Sequence, residues 1–272
     1  MRHSMSKGGK TVAQDHPQLL SSVRNALKIL LSFSMDEPEK RVSDVARELG
    51  LSKSSASRLM ATLASEGFLS KNPETGHYRL GVSVLTLSSI FISSLDLYRE
   101  SLPVLKWLVQ ETGEAAHLAI MEGTDVVYVN KVESKHPIRI LTYIGRRNPA
   151  YCTSSGKVLL AYQAEEVVEE IINKGLEKYA SNTITDPDQL YRSLAKIRKD
   201  GYAVSVSEIL DGVTSIGVPV RDYTGQVVAA VSIVGTNQHI NKKTIPHFVD
   251  LVKKAGREIS ERLGFWEDGD KP

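Results

Sequence analysis

The stretch LSKSSASRLMATLASEGFL, residues 51–69, decides the fold of the N-terminal part of the chain. Its apolar residues recur at helical spacing after a polar start, which predicts a helix with one buried face. The preceding segment, 43–50, has the same spacing, with Ser43 as the expected N-cap and Gly50 as the expected stop. Two helices joined by a short turn that contains glycine are typical of a helix-turn-helix.

The segments on either side extend this pattern. Apolar spacing predicts an earlier helix over residues 20–33, which the sequence MDEPEKR ends. After Gly67, the order FL, NPETG, HYRLG predicts two strands around a tight turn. Residues 19–81 are therefore predicted to form a winged helix-turn-helix domain. Residues 1–18 have no apolar core, so we expect a disordered arm and not a secretory signal.

Short polar and cationic side chains crowd the first half of the second helix. A helix that lies in the DNA major groove needs such groups at its N-terminal end, where they reach bases and phosphates. Taken alone, this polar face could simply be exposed to solvent. Its combination with the turn and the wing favours DNA binding. The predicted DNA contacts are Arg24, Ser52, Lys53, Ser54, Ser55, Ser57, Arg58, Lys71, His77 and Arg79.

Composition excludes several classes of protein. The formal net charge is only +2, yet residues 1–80 hold 12 Lys and Arg against 8 Asp and Glu. The single cysteine, Cys152, rules out an intramolecular disulfide and a zinc site built on several thiolates. The seven histidines show no ligand spacing, so we expect no metal and no cofactor. The longest uncharged run, 80–95, is too short for a membrane span, and we expect a cytoplasmic protein.

The rest of the chain predicts a second domain. Residues 82–98 are apolar at helical spacing and rich in serine, which indicates a linker helix that pairs with a second copy. A helix is expected to begin at Pro103. Residues 99–265 then predict a mixed α+β domain around an antiparallel sheet, with a final helix near 244–263, and residues 266–272 are left as a tail. One expected strand is IRILTYIG, residues 138–145.

The chain resembles the IclR-type bacterial transcription regulators. The resemblance rests on SVRNALKIL, RVSDVARELGLSKSSASRLMATLASEGFL, YRLG, NPAYCTSSGKVLLA, GYAVSVSE and GVTSIGVPVRDYTGQVVAAVSIVG, spread over residues 20–264. It implies an α+β protein in which a winged helix-turn-helix and a dimerising linker helix precede a GAF-like effector-binding domain. It also implies homodimers, often dimers of dimers, on palindromic operators in double-stranded DNA, and it favours a repressor, although the residues themselves do not distinguish repression from activation.

The resemblance also implies where a small-molecule effector binds. The sequence CTSSGK precedes a helix, whose first amides are suited to a carboxylate. A phosphate-binding P-loop is excluded, since Tyr151 and Val158 occupy its required glycine and hydroxyl positions. The implied effector residues are Ser154 and Ser155 as amide donors and Ser205 and Ser215 as ligand contacts. His117, Tyr143 and Tyr151 are further candidates.

Two of these positions depart from the family pattern. Members often carry Asp where Ser205 stands and Cys where Ser215 stands. Neutral hydroxyls at both positions suit a more hydroxylated acid, such as a sugar acid, within the wider class of small carboxylates. The alternative function is an enzyme that uses Cys152 or Ser154, with His117, in acyl transfer, but no motif of such enzymes supports it.

Overall fold

The chain divides into two compact units between Phe91 and Ile92, inside the segment 82–98 that the sequence predicts as a linker. The computed structural model describes residues 20–93, 96–134 and 143–266. The predicted arm 1–18, the tail beyond Trp266 and most of the predicted strand 138–145 lie outside the described residues.

The first unit is a winged helix-turn-helix, as predicted. A small core forms where the helices meet the strands, around Ile29, Val45, Met60, Leu69 and Tyr78. Its sheet has the order β1-β3-β2 and is antiparallel. The elements are α1 (Ser21–Leu31), β1 (Glu39–Lys40), α2 (Val42–Glu48), α3 (Lys53–Ser65), β2 (Leu69–Lys71), β3 (Tyr78–Leu80) and α4 (Val82–Ser93).

The turn between α2 and α3 follows the sequence prediction, but the start of α2 does not. Gly50 has a φ of +64°, a conformation that glycine adopts without steric cost. The predicted cap at Ser43 is wrong, because Arg41 is the extended residue that precedes the helix. The reason is the unpredicted strand β1, in which Lys40 pairs with Tyr78. The chain enters α2 directly from that strand.

The second unit is a mixed α+β domain built on one antiparallel sheet, as predicted. The strand order is β6-β5-β4-β9-β8-β7. One face carries an apolar core shared with α5 and α9, and a second core lies between the other face and α6 and α8. The elements are α5 (Asp96–Thr112), β4 (Ala115–Glu122), β5 (Asp125–Val132), β6 (Arg147–Pro149), α6 (Ser154–Ala161), α7 (Glu165–Lys174), α8 (Pro187–Asp200), β7 (Ala203–Val206), β8 (Val213–Arg221), β9 (Val227–Thr236) and α9 (Ile245–Arg262).

The predicted helix start at Pro103 is wrong. Pro103 lies inside α5, which begins at Asp96, so residues 96–98 of the predicted linker belong to this helix. Proline in a helix interior removes one backbone hydrogen bond. Leu97, in the first turn, packs against the core, and this burial helps to offset the loss.

Candidate functional site

The first half of α3 presents a polar face, while Ala56 and Met60 on its other side are buried. The Ser52 hydroxyl accepts the Ser55 amide at 3.1 Å and lies 2.9 Å from the Ser55 hydroxyl, so this pair caps the helix. The two cations of this face, Lys53 and Arg58, form no ion pair within the described residues. The predicted contacts that are exposed and outside this capping pair are Lys53, Ser54, Ser57 and Arg58, and the Ser54 hydroxyl lies 3.1 Å from that of Ser52.

The wing adds cations to the same unit. Lys71 and Arg79 are exposed on β2 and β3, and the Lys71 ammonium lies 5.6 Å from the centroid of the Tyr78 ring. His77 is only partly exposed, and its Nε2 accepts the Arg41 Nε–H at 3.0 Å. His77 thus holds an arginine against the wing, and its Nε2 is not free for phosphate.

Arg41 is an exposed cation that the sequence prediction missed. Its position in the sequence, directly before the first helix of the helix-turn-helix, could have indicated a phosphate contact. Arg24, the remaining predicted contact, is exposed near the start of α1.

In the second unit, the N-terminus of α6 offers two backbone amides. Thr153 caps the helix, and its hydroxyl accepts the Gly156 amide at 3.0 Å. The Lys157 amide bonds the Thr153 carbonyl at 2.9 Å. The first-turn amides without an acceptor in the helix or its cap are those of Ser154 and Ser155, the two residues that the sequence analysis names as amide donors.

The start of α6 lies directly on strand β8. A Cβ atom at Gly217 would come within 3.0 Å of the Ser154 carbonyl carbon and 3.1 Å of the Ser155 nitrogen. Only glycine permits this approach without a shift of the helix. Because side chains two residues apart share a face of the sheet, Ser215 also faces the α6 side.

Pairing across the sheet brings two more predicted residues, Ser205 and His117, to this face. Ser205 lies opposite Ser215 on β7, and its hydroxyl donates to the Cys152 carbonyl at 3.3 Å. Gly217 pairs with Ser232 on β9, which pairs with His117 on β4. The structure therefore brings His117, Ser154, Ser155, Ser205 and Ser215 to one layer between the sheet and α6.

Two buried groups in this layer are neutral at physiological pH. Burial, with a contribution from the charge of Lys131, lowers the pKa of His117 to about 3. The Tyr128 ring lies 5.2 Å from the imidazole, and burial raises the pKa of its hydroxyl. That hydroxyl is hydrogen-bonded to Ser155 and accepts the Asn148 amide at 3.4 Å. The sequence prediction missed Tyr128 and Asn148.

The two predicted tyrosines do not join this group. The Tyr151 hydroxyl donates to the Glu177 carbonyl at 2.8 Å, and its ring lies 6.4 Å from that of Tyr179. Tyr143 lies beside Arg146, 5.8 Å from its guanidinium carbon, next to the segment 135–142 that is not described.

A buried ion pair anchors α6. The Lys157 ammonium lies 2.5 Å from Glu208 Oε1 and donates to the Val204 carbonyl at 3.2 Å. Burial raises the pKa of Glu208, whereas the Lys157 charge lowers it. The pair joins α6 to the segment after β7, and the sequence prediction did not find it.

The Cys152 thiol is poorly suited to act as a nucleophile. It is fully buried, and burial raises its pKa to about 12, with a further contribution from the charge of Glu208. A thiol with that pKa stays protonated at neutral pH, whereas attack requires the thiolate. Within residues 20–93, 96–134 and 143–266, no group of three His, Cys, Asp or Glu could hold a metal ion. No helix in those ranges is long and apolar enough to cross a membrane.

Comparison with known proteins identifies both units. Residues 22–73 match the model of the IclR helix-turn-helix domain, and residues 90–261 match that of the bacterial transcriptional regulator IclR C-terminal domain. The transcriptional regulator XynR of Escherichia coli is 32% identical over 91% of this chain and 98% of its own length. KdgR of the same species is 30% identical over 92% of this chain and 95% of its own length.

Solved structures show the same fold. The IclR regulator from Alicyclobacillus acidocaldarius superposes with a TM-score of 0.80 at 27% identity, over 90% of this chain and 100% of that one. An IclR homologue from Microbacterium hydrocarbonoxydans, complexed with 4-hydroxybenzoate, has a TM-score of 0.80 at 29% identity. The match covers 89% of this chain and 99% of that one.

Proposed function

Since the chain belongs to the IclR family of bacterial transcription regulators, we propose that it is a repressor that releases a palindromic operator when it binds a small hydroxylated carboxylate. The families and homologues that it matches are transcription regulators with a DNA-binding and a ligand-binding domain, and an acyl-transfer enzyme is not supported. Named relatives such as the E. coli IclR and AllR proteins are repressors.

Operator binding is assigned to the exposed face of α3 and to the wing. In this proposal Lys53, Ser54 and Ser57 contact phosphates, and Arg58 contacts a base edge. Arg24, Lys71 and Arg79 supply further phosphate contacts, as does Arg41, which His77 holds in position. These contacts add affinity that weakens as salt rises.

The observation that carries the effector proposal is the pair of amides at the start of α6, set against neutral hydroxyls. The Ser154 and Ser155 amides suit a carboxylate, because two N–H groups and the positive end of a helix dipole point to one place. Ser205 and Ser215 offer hydroxyls without charge, which suits the hydroxyl groups of the ligand. The Microbacterium homologue is solved with 4-hydroxybenzoate, which is also a hydroxylated carboxylate.

The proposed assembly is a homodimer, or a dimer of such dimers, because a palindromic operator requires two copies of α3. Its contact surface includes α4, where Val82, Leu85 and Leu87 are 79%, 67% and 57% exposed. Such exposure of apolar side chains along one helix is typical of an interface. Since its target is DNA, we place the protein in the cytoplasm.

The proposal is tested by native mass spectrometry of the purified protein, followed by thermal-shift measurements. The panel contains D-gluconate, pyruvate and 4-hydroxybenzoate, with sorbitol as the uncharged counterpart of gluconate. We expect at least one hydroxylated carboxylate to raise Tm and to reduce operator binding in a gel-shift assay, while sorbitol does neither. A response to sorbitol, or to pyruvate alone, would contradict the assigned class.

A further inference from the structure

A cleft in the second unit, between α9 and the end of β8, is lined by several cations. Three basic residues line it, Arg221, Lys253 and Arg257, and none of the described lining residues is Asp or Glu. The volume is about 280 Å³, below the range typical of sites for drug-sized ligands. A site of this kind suits a small anion.

Arg221 is held in place by its surroundings. Its guanidinium carbon lies 5.1 Å from the centroid of the Tyr162 ring and 5.9 Å from that of Phe265. One of its N–H groups donates to the Gly225 carbonyl at 2.7 Å. A guanidinium fixed between two rings loses little conformational entropy on binding an anion.

Lys253 and Arg257 lie one turn apart on α9, and both are exposed. The Lys253 ammonium donates to the Asp200 carbonyl at 2.9 Å, which positions it without neutralising it. Like charges at this spacing repel each other. None of the three cations forms an ion pair within the described residues, whereas Arg262, further along the same helix, pairs with Glu258 at 2.8 Å.

We propose that this cleft binds a small phosphate ester at a site separate from the effector site at α6. A phosphate ester carries close to two negative charges at neutral pH, and arginine binds phosphate through parallel N–H donors. Binding would relieve the repulsion between Lys253 and Arg257. The cleft is built from α9, the end of β8 and the rings of Tyr162 and Phe265, and shares no residue with the amides at the start of α6.

The test is a titration of the full chain with inorganic phosphate, with binding measured by isothermal titration calorimetry and by ³¹P line broadening. Chloride keeps the ionic strength constant throughout. We expect saturable binding that Lys253→Gln/Arg257→Gln weakens at least tenfold. The control Lys242→Gln/Lys243→Gln removes two exposed lysines from the same unit and should leave the affinity within a factor of two. Equal weakening by both pairs, or no saturable binding, overturns the proposal.

Two further variants distinguish other occupants of the cleft. Ser154→Pro, which removes an amide at α6, should leave phosphate binding unchanged, and a loss would mean that phosphate occupies the effector site. The sequence after Phe265 includes Glu267, Asp268 and Asp270. A variant that ends at Trp266 should bind phosphate as the full chain does. If only the shortened chain bound phosphate, the carboxylates of residues 267–270 would be the occupant of the cleft in the full chain.

Discussion

Arg58 is exposed one turn into α3, and no ion pair within the described residues competes for its guanidinium. If it contacts a guanine edge, Arg58→Ala should weaken operator binding by about 1–3 kcal/mol and relax specificity at one base pair. Fluorescence anisotropy with the operator and with single-base variants measures both effects. The matched control is Arg192→Ala, which removes an exposed arginine from the second unit. Unchanged affinity of Arg58→Ala, or an equal effect of the control, would contradict the assignment.

His117 is fully buried and neutral, so its titration is linked to folding. The unfolded chain binds a proton near pH 6.5, but the folded chain binds it only near pH 3. Between these values the unfolded state holds more protons, and stability is lost as the pH falls, by about 4–5 kcal/mol at most. Urea unfolding from pH 7 to pH 4 should show this slope, and His117→Gln should flatten it. The exposed His247→Gln is the control, and an equal slope in both variants would exclude His117 as the cause.

At the start of α6, two substitutions of Ser154 separate the contribution of its backbone amide from that of its side-chain hydroxyl. Ser154 is the first residue of the helix, and Thr153 before it is extended, with φ −123° and ψ 152°. Proline is compatible with both conditions, so Ser154→Pro should remove one amide with little strain. We expect operator binding without effector to persist and the effector response to fall at least tenfold in affinity. Ser154→Ala, which keeps the amide, should respond like the unmodified protein, and a normal response of Ser154→Pro would place the carboxylate elsewhere.

Elements with local signals could be predicted from the sequence. Gly50, Gly67 and the NPETG turn delimit α2, α3 and the hairpin, because each is a backbone requirement of a few consecutive residues. Strand β1 could not be found, since two residues have no periodicity and the strand exists only through pairing with β3.

The same distinction holds within the proposed effector site. The motif at α6 pointed to Ser154 and Ser155. The contact of Tyr128 with Ser155 depends on how the sheet pairs, and the ion pair between Lys157 and Glu208 joins residues 51 positions apart. No local pattern records either contact, so both became visible only in the folded chain.

At the scale of the whole molecule, the proposed dimer contact rests on the exposed apolar residues of α4. Leu85 is 67% exposed, and a charge there would be costly in an apolar contact between two copies. We expect Leu85→Glu to shift the protein from dimer to monomer in analytical ultracentrifugation. Operator affinity should then fall, because each copy of α3 must bind its half-site without the gain that linkage provides.

The control for this change is Leu210→Glu, which introduces the same charge at a leucine that is 49% exposed in the second unit. It should leave both the dimer and operator binding intact. A half-site oligonucleotide separates the two contributions: monomeric Leu85→Glu should bind it as well as the unmodified protein does, since α3 is untouched. Weak binding to the half-site would mean that the substitution damages the winged helix-turn-helix itself, and a Leu85→Glu protein that remains dimeric would move the interface away from α4.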